Sequence, residues 1–202
     1  MKTKIKICGL SRPEDIAYVN EALPDFCGFV IDVPKSIRNT TPEQVRALRR
    51  LLRPEIIPVG VFRNASVEGV AELLRDGTIA AAQLHGSEDE EYIRRLKVIG
   101  DFTVIKAFHE GTLWRAPGSS ADYILLDHES GGTGRTFDWS LAENISRPYF
   151  LAGGLGPDNI GRAIERLHPW AIDLSSSVET EGRKDREKIL AAVRAVREYG
   201  NE

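Results

Sequence analysis

The chain has 202 residues, 28% of them charged and 42% hydrophobic, a balance that excludes disorder and reads as folded throughout. A net charge of −3 and a pI near 5.9 exclude the overall basic field of a nucleic-acid-binding domain, so an anionic ligand has to be met by local groups. The length suits a single domain over residues 1–202 and lies at the lower limit for a closed eight-stranded α/β barrel, with no linker or low-complexity tract to divide it.

The first predicted element is the strand KIKIC (Lys4–Cys8). No basic patch and apolar core of a signal peptide precedes it, and no run approaches the roughly 18 apolar residues that span a bilayer. A cytoplasmic location without a membrane partner is the expectation. Cys8 and Cys27 are too few for a disulfide framework and lack CxxC spacing, so both are expected as reduced thiols. SRPEDIAYVNEAL follows as a helix with a Ser cap and an early Pro, then the strand FCGFVI (Phe26–Ile31) and the Thr-Pro helix TPEQVRALRRLL. IIPVGVF (Ile56–Phe62) leads to the helix SVEGVAELLRD, and IAAAQLH (Ile79–His85) to the helix SEDEEYIRRLK. After FTVIKAF (Phe102–Phe108), the segment EGTLWRAPGSSA is too broken by Gly, Pro and Ser for a full helix, so a degenerate element is expected there. The strand YILLD (Tyr123–Asp127) is followed by the glycine-rich HESGGTGRTF. YFLAG (Tyr149–Gly153), the Pro-Asp helix GPDNIGRAIERL, AIDLS (Ala171–Ser175) and the helix KDREKILAAVRAVREYG complete the chain.

Strand alternating with helix implies a parallel sheet, since parallel neighbours need a crossover. Eight such units predict closure into a (β/α)8 TIM barrel. An open doubly wound sheet is the alternative, and its dinucleotide-binding version lacks a G-x-G-x-x-G after the first strand.

In such barrels chemistry sits at the C-terminal ends of the strands, where this chain is unusually polar. Gly153 and Gly154 after strand seven, with Ser175, Ser176 and Ser177 after strand eight, have the character of a phosphate cradle, because small residues let backbone N–H groups approach an oxyanion. A phosphate ester is the ligand this suggests. Asp127 places a carboxylate at the end of an apolar run, either as a functional group or as a cap for the loop that follows. That loop carries Arg135 and could fold over a bound anion. Cys8 alone suits a buried space-filler, since free cysteine is among the most buried residue types, and Cys27 keeps that reading. Gln83 and His85, two apart, share a face of strand four; they and Lys106 either line the pocket or plug the barrel. Arg38, in the loop after strand two, is on its own a solvated arginine.

Taken together, KICGL, GFV with PKSIRN, VGVF, QLHG, IKA, LLD with GGTGRTFDW, LAGGL and DLSSSVE occur in order at successive strand ends, and the set resembles the phosphoribosylanthranilate isomerase family. The resemblance implies an Amadori rearrangement in tryptophan biosynthesis that converts N-(5-phosphoribosyl)anthranilate to 1-(2-carboxyphenylamino)-1-deoxyribulose 5-phosphate. It implies no metal and no cofactor, a small phosphoribosyl compound as the partner, Cys8 as general base, Asp127 as general acid, and Arg38 on the anthranilate side of the pocket. Such chemistry needs a lowered pKa at Cys8 and, at Asp127, a raised one of the kind an apolar barrel mouth supplies. No charged neighbour within KIKICGL is assigned to Cys8, and Gly9 is expected to keep a side chain off the sugar. Two departures stand out. Ser177 replaces the family's usual glycine, at a cost in strain if its φ is positive, and the loop IDVPKSIRN is one residue longer than the usual form.

Two rival readings remain. A dual-substrate isomerase of histidine and tryptophan synthesis would carry aspartates as both acid and base, which the cysteine on strand one opposes. A non-catalytic phosphosugar-binding barrel would have no reason to keep both Cys8 and Asp127. Monomer and homodimer stay open.

Overall fold

Eight parallel strands close into a barrel: β1 (Lys4–Cys8), β2 (Phe26–Ile31), β3 (Ile57–Phe62), β4 (Ala81–Leu84), β5 (Thr103–His109), β6 (Tyr123–Asp127), β7 (Tyr149–Leu151) and β8 (Ala171–Leu174). The structure is a computed structural model that describes residues 2–128, 138–143 and 145–199. Each strand pairs with its sequence neighbours, and β1 closes the ring by pairing with β2 at Cys8↔Gly28 and with β8 at Lys6↔Asp173. Beyond the end of β1 a two-residue strand, Asn39–Thr40, takes over the exposed edge of β2. The TIM barrel expected from the alternation is therefore present, with strand ends shifted by one or two residues.

Side chains alternate between two environments along every strand. Phe26, Val59, Ala81, Ile105, Leu125, Phe150 and Ala171 fill the barrel interior. The other face of the strands packs Ile5, Ile7, Phe29, Val104, Phe108 and Leu126 against the helices. The N-terminal end of the barrel is shut by aromatic rings. Tyr123 stacks on Trp170 at 4.2 Å and Phe26 meets Phe150 edge-on at 5.5 Å, with Lys4 Nζ 4.4 Å above Trp170. The opposite end stays open.

Six α-helices surround the strands among the described residues: α1 (Pro13–Ala22), α2 (Pro42–Arg49), α3 (Val67–Arg75), α4 (Glu90–Ile99), α5 (Ile160–Leu167) and α6 (Arg186–Tyr199). The Thr-Pro start of α2 is a capping box, in which Gln44 N donates to Thr41 Oγ1 and Thr41 N donates to Gln44 Oε1. The expected serine cap of α1 is not formed. Arg12 stands at the cap, and Asp15 accepts the backbone N–H groups of Ser11 at 2.9 Å and Arg12 at 3.1 Å. After β5 the broken segment is a 3₁₀ stretch, Glu110–Gly118, that contains Pro117. After β6 the described residues hold a single 3₁₀ turn, Trp139–Leu141. No helix among the described residues is long and apolar enough to cross a membrane.

Candidate active site

A cavity of about 870 Å³ occupies the C-terminal mouth of the barrel. The strands deliver its lining by their alternation: Cys8 from β1, Gln83 from β4, Asp127 from β6 and Asp173 from β8 all point inward, and the loops add Arg38, His85, Gly153, Gly154 and Ser175 to Ser177. These residues are far apart in the chain and meet only because the sheet closes.

Asp127 is met by polar groups rather than by the apolar mouth expected. Its Oδ1 accepts the His128 backbone N–H at 2.8 Å, and Oδ2 lies 3.4 Å from His85 Nε2. Gln83 Nε2 lies 2.9 Å from His85 Nδ1, a contact that is a hydrogen bond when the ring carries its proton on Nε2, the nitrogen facing the carboxylate. Gln83 Oε1 is buried and without a hydrogen-bond partner among the described residues. Gln83 and His85 thus share a face, and that face is the cavity's.

Lys106 does not join them. It stands between Val104 and Phe108 on the face of β5 turned to the helices, and its ammonium donates to the carbonyls of Leu84 at 3.3 Å and Gly86 at 2.8 Å. Glu88 pairs with it at 3.2 Å. The same Glu88 accepts the N–H groups of Asn64 and Gly86, so Lys106 and Glu88 hold the turn that carries His85 instead of lining the pocket. Arg135 lies outside the described residues.

The glycines after β7 have backbone conformations that explain their identity. Gly153 and Gly154 have φ of 79° and 64°, and a Cβ on Gly153 would stand 2.9 Å from His128 N and 3.1 Å from Asp127 Oδ1. Asn159 locks this turn by donating to Gly154 O and accepting from Gly156 N, each at 2.9 Å, so α5 begins after it and not at Pro157-Asp158. Ser177 is not among the residues with positive φ, and the left-handed strain considered for it does not arise. A Cβ on Gly156 would lie 3.6 Å from Ser177 Cβ, which places the two turns side by side.

Arg38 reaches over the rim but is already paired. Its Nε and Nη2 each bond Glu179 at 2.7 Å, a bidentate geometry that raises its pKa. Lys184, buried, shares Glu179 at 2.5 Å and donates to Ser175 O at 3.0 Å. Burial pushes the Glu179 carboxyl up, but Arg38 and Lys184 outweigh it and hold it low. Gly9 has φ of 85°, and a Cβ there would come within 2.4 Å of Arg38 Cδ. The residue that Gly9 accommodates is therefore Arg38 before any sugar.

Beneath Cys8 lies an ion pair that the strand pattern conceals. Lys6, with no exposed surface, bonds both oxygens of Asp173 at 2.9 Å. A Cβ on Gly28 would stand 2.7 Å from Cys8 Sγ and 3.1 Å from Lys6 Nζ, so thiol and ammonium converge on the gap that this glycine leaves. The expectation that KIKICGL offers Cys8 no charge is corrected: Lys6 is two residues away, on the same inward face. The expected lowered pKa is corrected as well. Burial pushes the Cys8 thiol up, Lys6 opposes this, Asp173 adds to it, and Lys184 opposes it weakly. Lys6, Asp173, Glu179 and Lys184 are the site residues sequence reasoning missed. The period-two rule applied to Gln83 and His85 would have found Lys6 from Cys8 and Asp173 from Ser175.

Comparison with known proteins agrees with the geometry. A family model described as N-(5'phosphoribosyl)anthranilate (PRA) isomerase matches residues 5–195. An N-(5'-phosphoribosyl)anthranilate isomerase of Endomicrobium trichonymphae is 44% identical, with 96% of this chain and 98% of the relative covered. The crystal structure of phosphoribosyl anthranilate isomerase from Thermotoga maritima superposes with a TM-score of 0.86 at 35% identity, over 96% of this chain and 98% of that one. A further isomerase structure, in complex with reduced 1-(o-carboxyphenylamino)-1-deoxyribulose 5-phosphate, gives a TM-score of 0.83 at 34% identity over the same shares. With the match running from β1 into α6, this chain belongs to the N-(5'-phosphoribosyl)anthranilate isomerase family.

Proposed function

We propose that the chain converts N-(5-phosphoribosyl)anthranilate to 1-(2-carboxyphenylamino)-1-deoxyribulose 5-phosphate in tryptophan synthesis, with Cys8 and Asp127 moving the protons. The observation that carries this reading is a thiol on β1 and a carboxylate on β6 lining one cavity, beside two small-residue turns suited to a phosphate. In the first step the Asp127 carboxyl gives its proton to the ribose ring oxygen. The C1′–O bond breaks and the anthranilate nitrogen forms C1′=N with its lone pair. Cys8 as thiolate then takes the C2′ proton, and the C–H pair forms C1′=C2′ while the imine pair returns to nitrogen. Ketonisation of the resulting enol, with a proton added at C1′, completes a redox-neutral isomerisation. Atoms balance without a co-reactant.

Several features support the remaining contacts. The turns at Gly153–Gly154 and Ser175–Ser177 suit the phosphate, and the unpartnered Gln83 Oε1 can accept from a ribose hydroxyl or the amine. Val33 and Ile37 beside Arg38 offer an apolar wall and a cation to an aromatic carboxylate. A cytoplasmic setting, with both thiols reduced, belongs to the same proposal.

Steady-state turnover tests it. Cys8→Ser and Asp127→Asn are each expected to lower kcat by about 10²–10⁴ or more. Wild-type rates in both would remove the mechanism, and ligand binding without turnover by the wild type would favour the non-catalytic barrel.

A further inference from the structure

We propose that Lys6 is a positioning residue for the reaction, the counter-ion that makes the Cys8 thiolate available, and that Asp173 sets how much of its charge Cys8 receives. This rests on the reading of Cys8 as the base. The geometry supplies the argument. Lys6 and Cys8 occupy successive inward positions of β1, and Gly28, paired with Cys8 across the β1–β2 ladder, leaves the space in which Nζ and Sγ approach. Asp173 sits opposite Lys6 across the β1–β8 ladder and takes two hydrogen bonds from it. Ser175 Oγ donates to Cys8 O at 3.2 Å and fixes the backbone behind the thiol.

A buried ion pair, in which Lys6 has no exposed surface and Asp173 very little, costs desolvation that an apolar pair of similar size avoids, so stability does not explain its presence. A thiol at the end of a closed barrel faces the opposite difficulty, because burial favours its neutral form. One buried cation next to it answers that difficulty, and one carboxylate on the far side keeps the cation charged and centred. The charged and titratable groups around Cys8 are Lys6 on β1, Asp173 on β8, Lys184 beyond β8, Arg38 in the loop after β2 and Cys27 on β2. Lys184 and Arg38 are already committed to Glu179. Lys6 is the one whose partner also faces the acid side of the cavity, since Asp173 interacts with Asp127 and His85.

The test reads the thiol itself. Cys27 is fully buried on the helix-facing side, so a Cys27→Ala background leaves Cys8 as the single cysteine. The rate of alkylation by iodoacetamide, a neutral reagent, is followed from pH 6 to 11. The Lys6→Met variant is expected to react about tenfold more slowly at pH 7, with its midpoint moved up by about one unit. Asp173→Asn is expected to move the midpoint down and speed alkylation. Because Lys6→Met strands a buried carboxylate, the charge-free pair Lys6→Gln with Asp173→Asn is measured too, and its midpoint is expected above the wild type's. The pH profile of kcat/KM should shift in parallel in each variant.

Unchanged midpoints in Lys6→Met and in the double variant would overturn the inference. So would shifts of one sign in Lys6→Met and Asp173→Asn, which indicate general damage. The alkylation assay needs no turnover, so its failure is distinct from full activity in Cys8→Ser, which would instead remove the reading of Cys8 as base.

Discussion

Replacing Gly9 by alanine tests how the rim is assembled. Two costs follow from the structure. At φ of 85° an L-residue pays left-handed strain of about 1–2 kcal/mol. The new Cβ would also stand 2.4 Å from Arg38 Cδ, which has to move or be overpacked. Movement loses a bidentate pair to Glu179 in which the Arg38 side chain is 20% exposed, so after solvent screening that part is worth roughly 1 kcal/mol; overpacking costs about 1–3 kcal/mol. The expected loss is about 2–4 kcal/mol, or roughly 5–15 °C in Tm for a chain of this size. Thermal unfolding of Gly9→Ala, Arg38→Ala and the double variant gives the coupling. Arg38→Ala removes the clash, so the double variant should be more stable than the sum of the singles by about 1–2 kcal/mol. Strict additivity would refute the claim that Gly9 is glycine because of Arg38. If Arg38 meets the aromatic carboxylate as proposed, substrate KM should rise in Gly9→Ala with a smaller change in kcat.

Glu88→Gln is expected to cost about 3–5 kcal/mol in urea unfolding, because it takes the counter-ion from the Lys106 ammonium, which burial already disfavours. Its kcat should fall with it, since the turn it holds carries His85. Asn159→Ala frees the Gly154–Gly156 turn and should weaken competitive inhibition by inorganic phosphate several-fold while kcat changes little; an unchanged inhibition constant would separate this turn from phosphate binding. Glu179 is held below its ordinary pKa, so its stabilisation is complete above pH ~5 and is lost as pH falls through the depressed value. Denaturant midpoints of Glu179→Gln should therefore show a shallower acid decline than the wild type between pH ~5 and ~3.

The barrel was legible because its evidence is periodic. Eight short apolar runs alternated with capped or amphipathic helical stretches except after β5 and β6, and the broken segment after β5 is the 3₁₀ stretch found there. Helix starts were less secure. Asn159 stands at the N-cap of α5 but turns its side chain to the Gly154 turn, and Asp15 does the work assigned to Ser11. At the site, the inward residues of strand ends were readable by position, but which polar residues are already satisfied was not. Lys106 stands one residue out of phase with the inward face of β5, as Ile105 and Ala107 show, and its partners come from a turn whose path cannot be read from spacing. Glu179 and Lys184 belong to a two-stranded hairpin that returns over the barrel mouth, a tertiary event without a local signature.

Lys6 was hidden for a different reason. In a strand with one face in water, KIKIC assigns its isoleucines to the core and its lysines to solvent. A barrel strand has no solvent face: Ile5 and Ile7 meet the helices, and the lysines turn into the ring. There the two lysines take different fates by depth. Lys4, at the closed end, rests its ammonium over Trp170, where delocalised aromatic charge and nearby solvent suffice. Lys6, one layer up, has neither, so its charge persists only because Asp173 faces it across the ladder. That requirement couples β1 to β8 at the level immediately below the thiol. The seam that closes the barrel is thus also where its electrostatics are set, and a residue that looks like a surface lysine in sequence becomes a buried cation beside the proposed base.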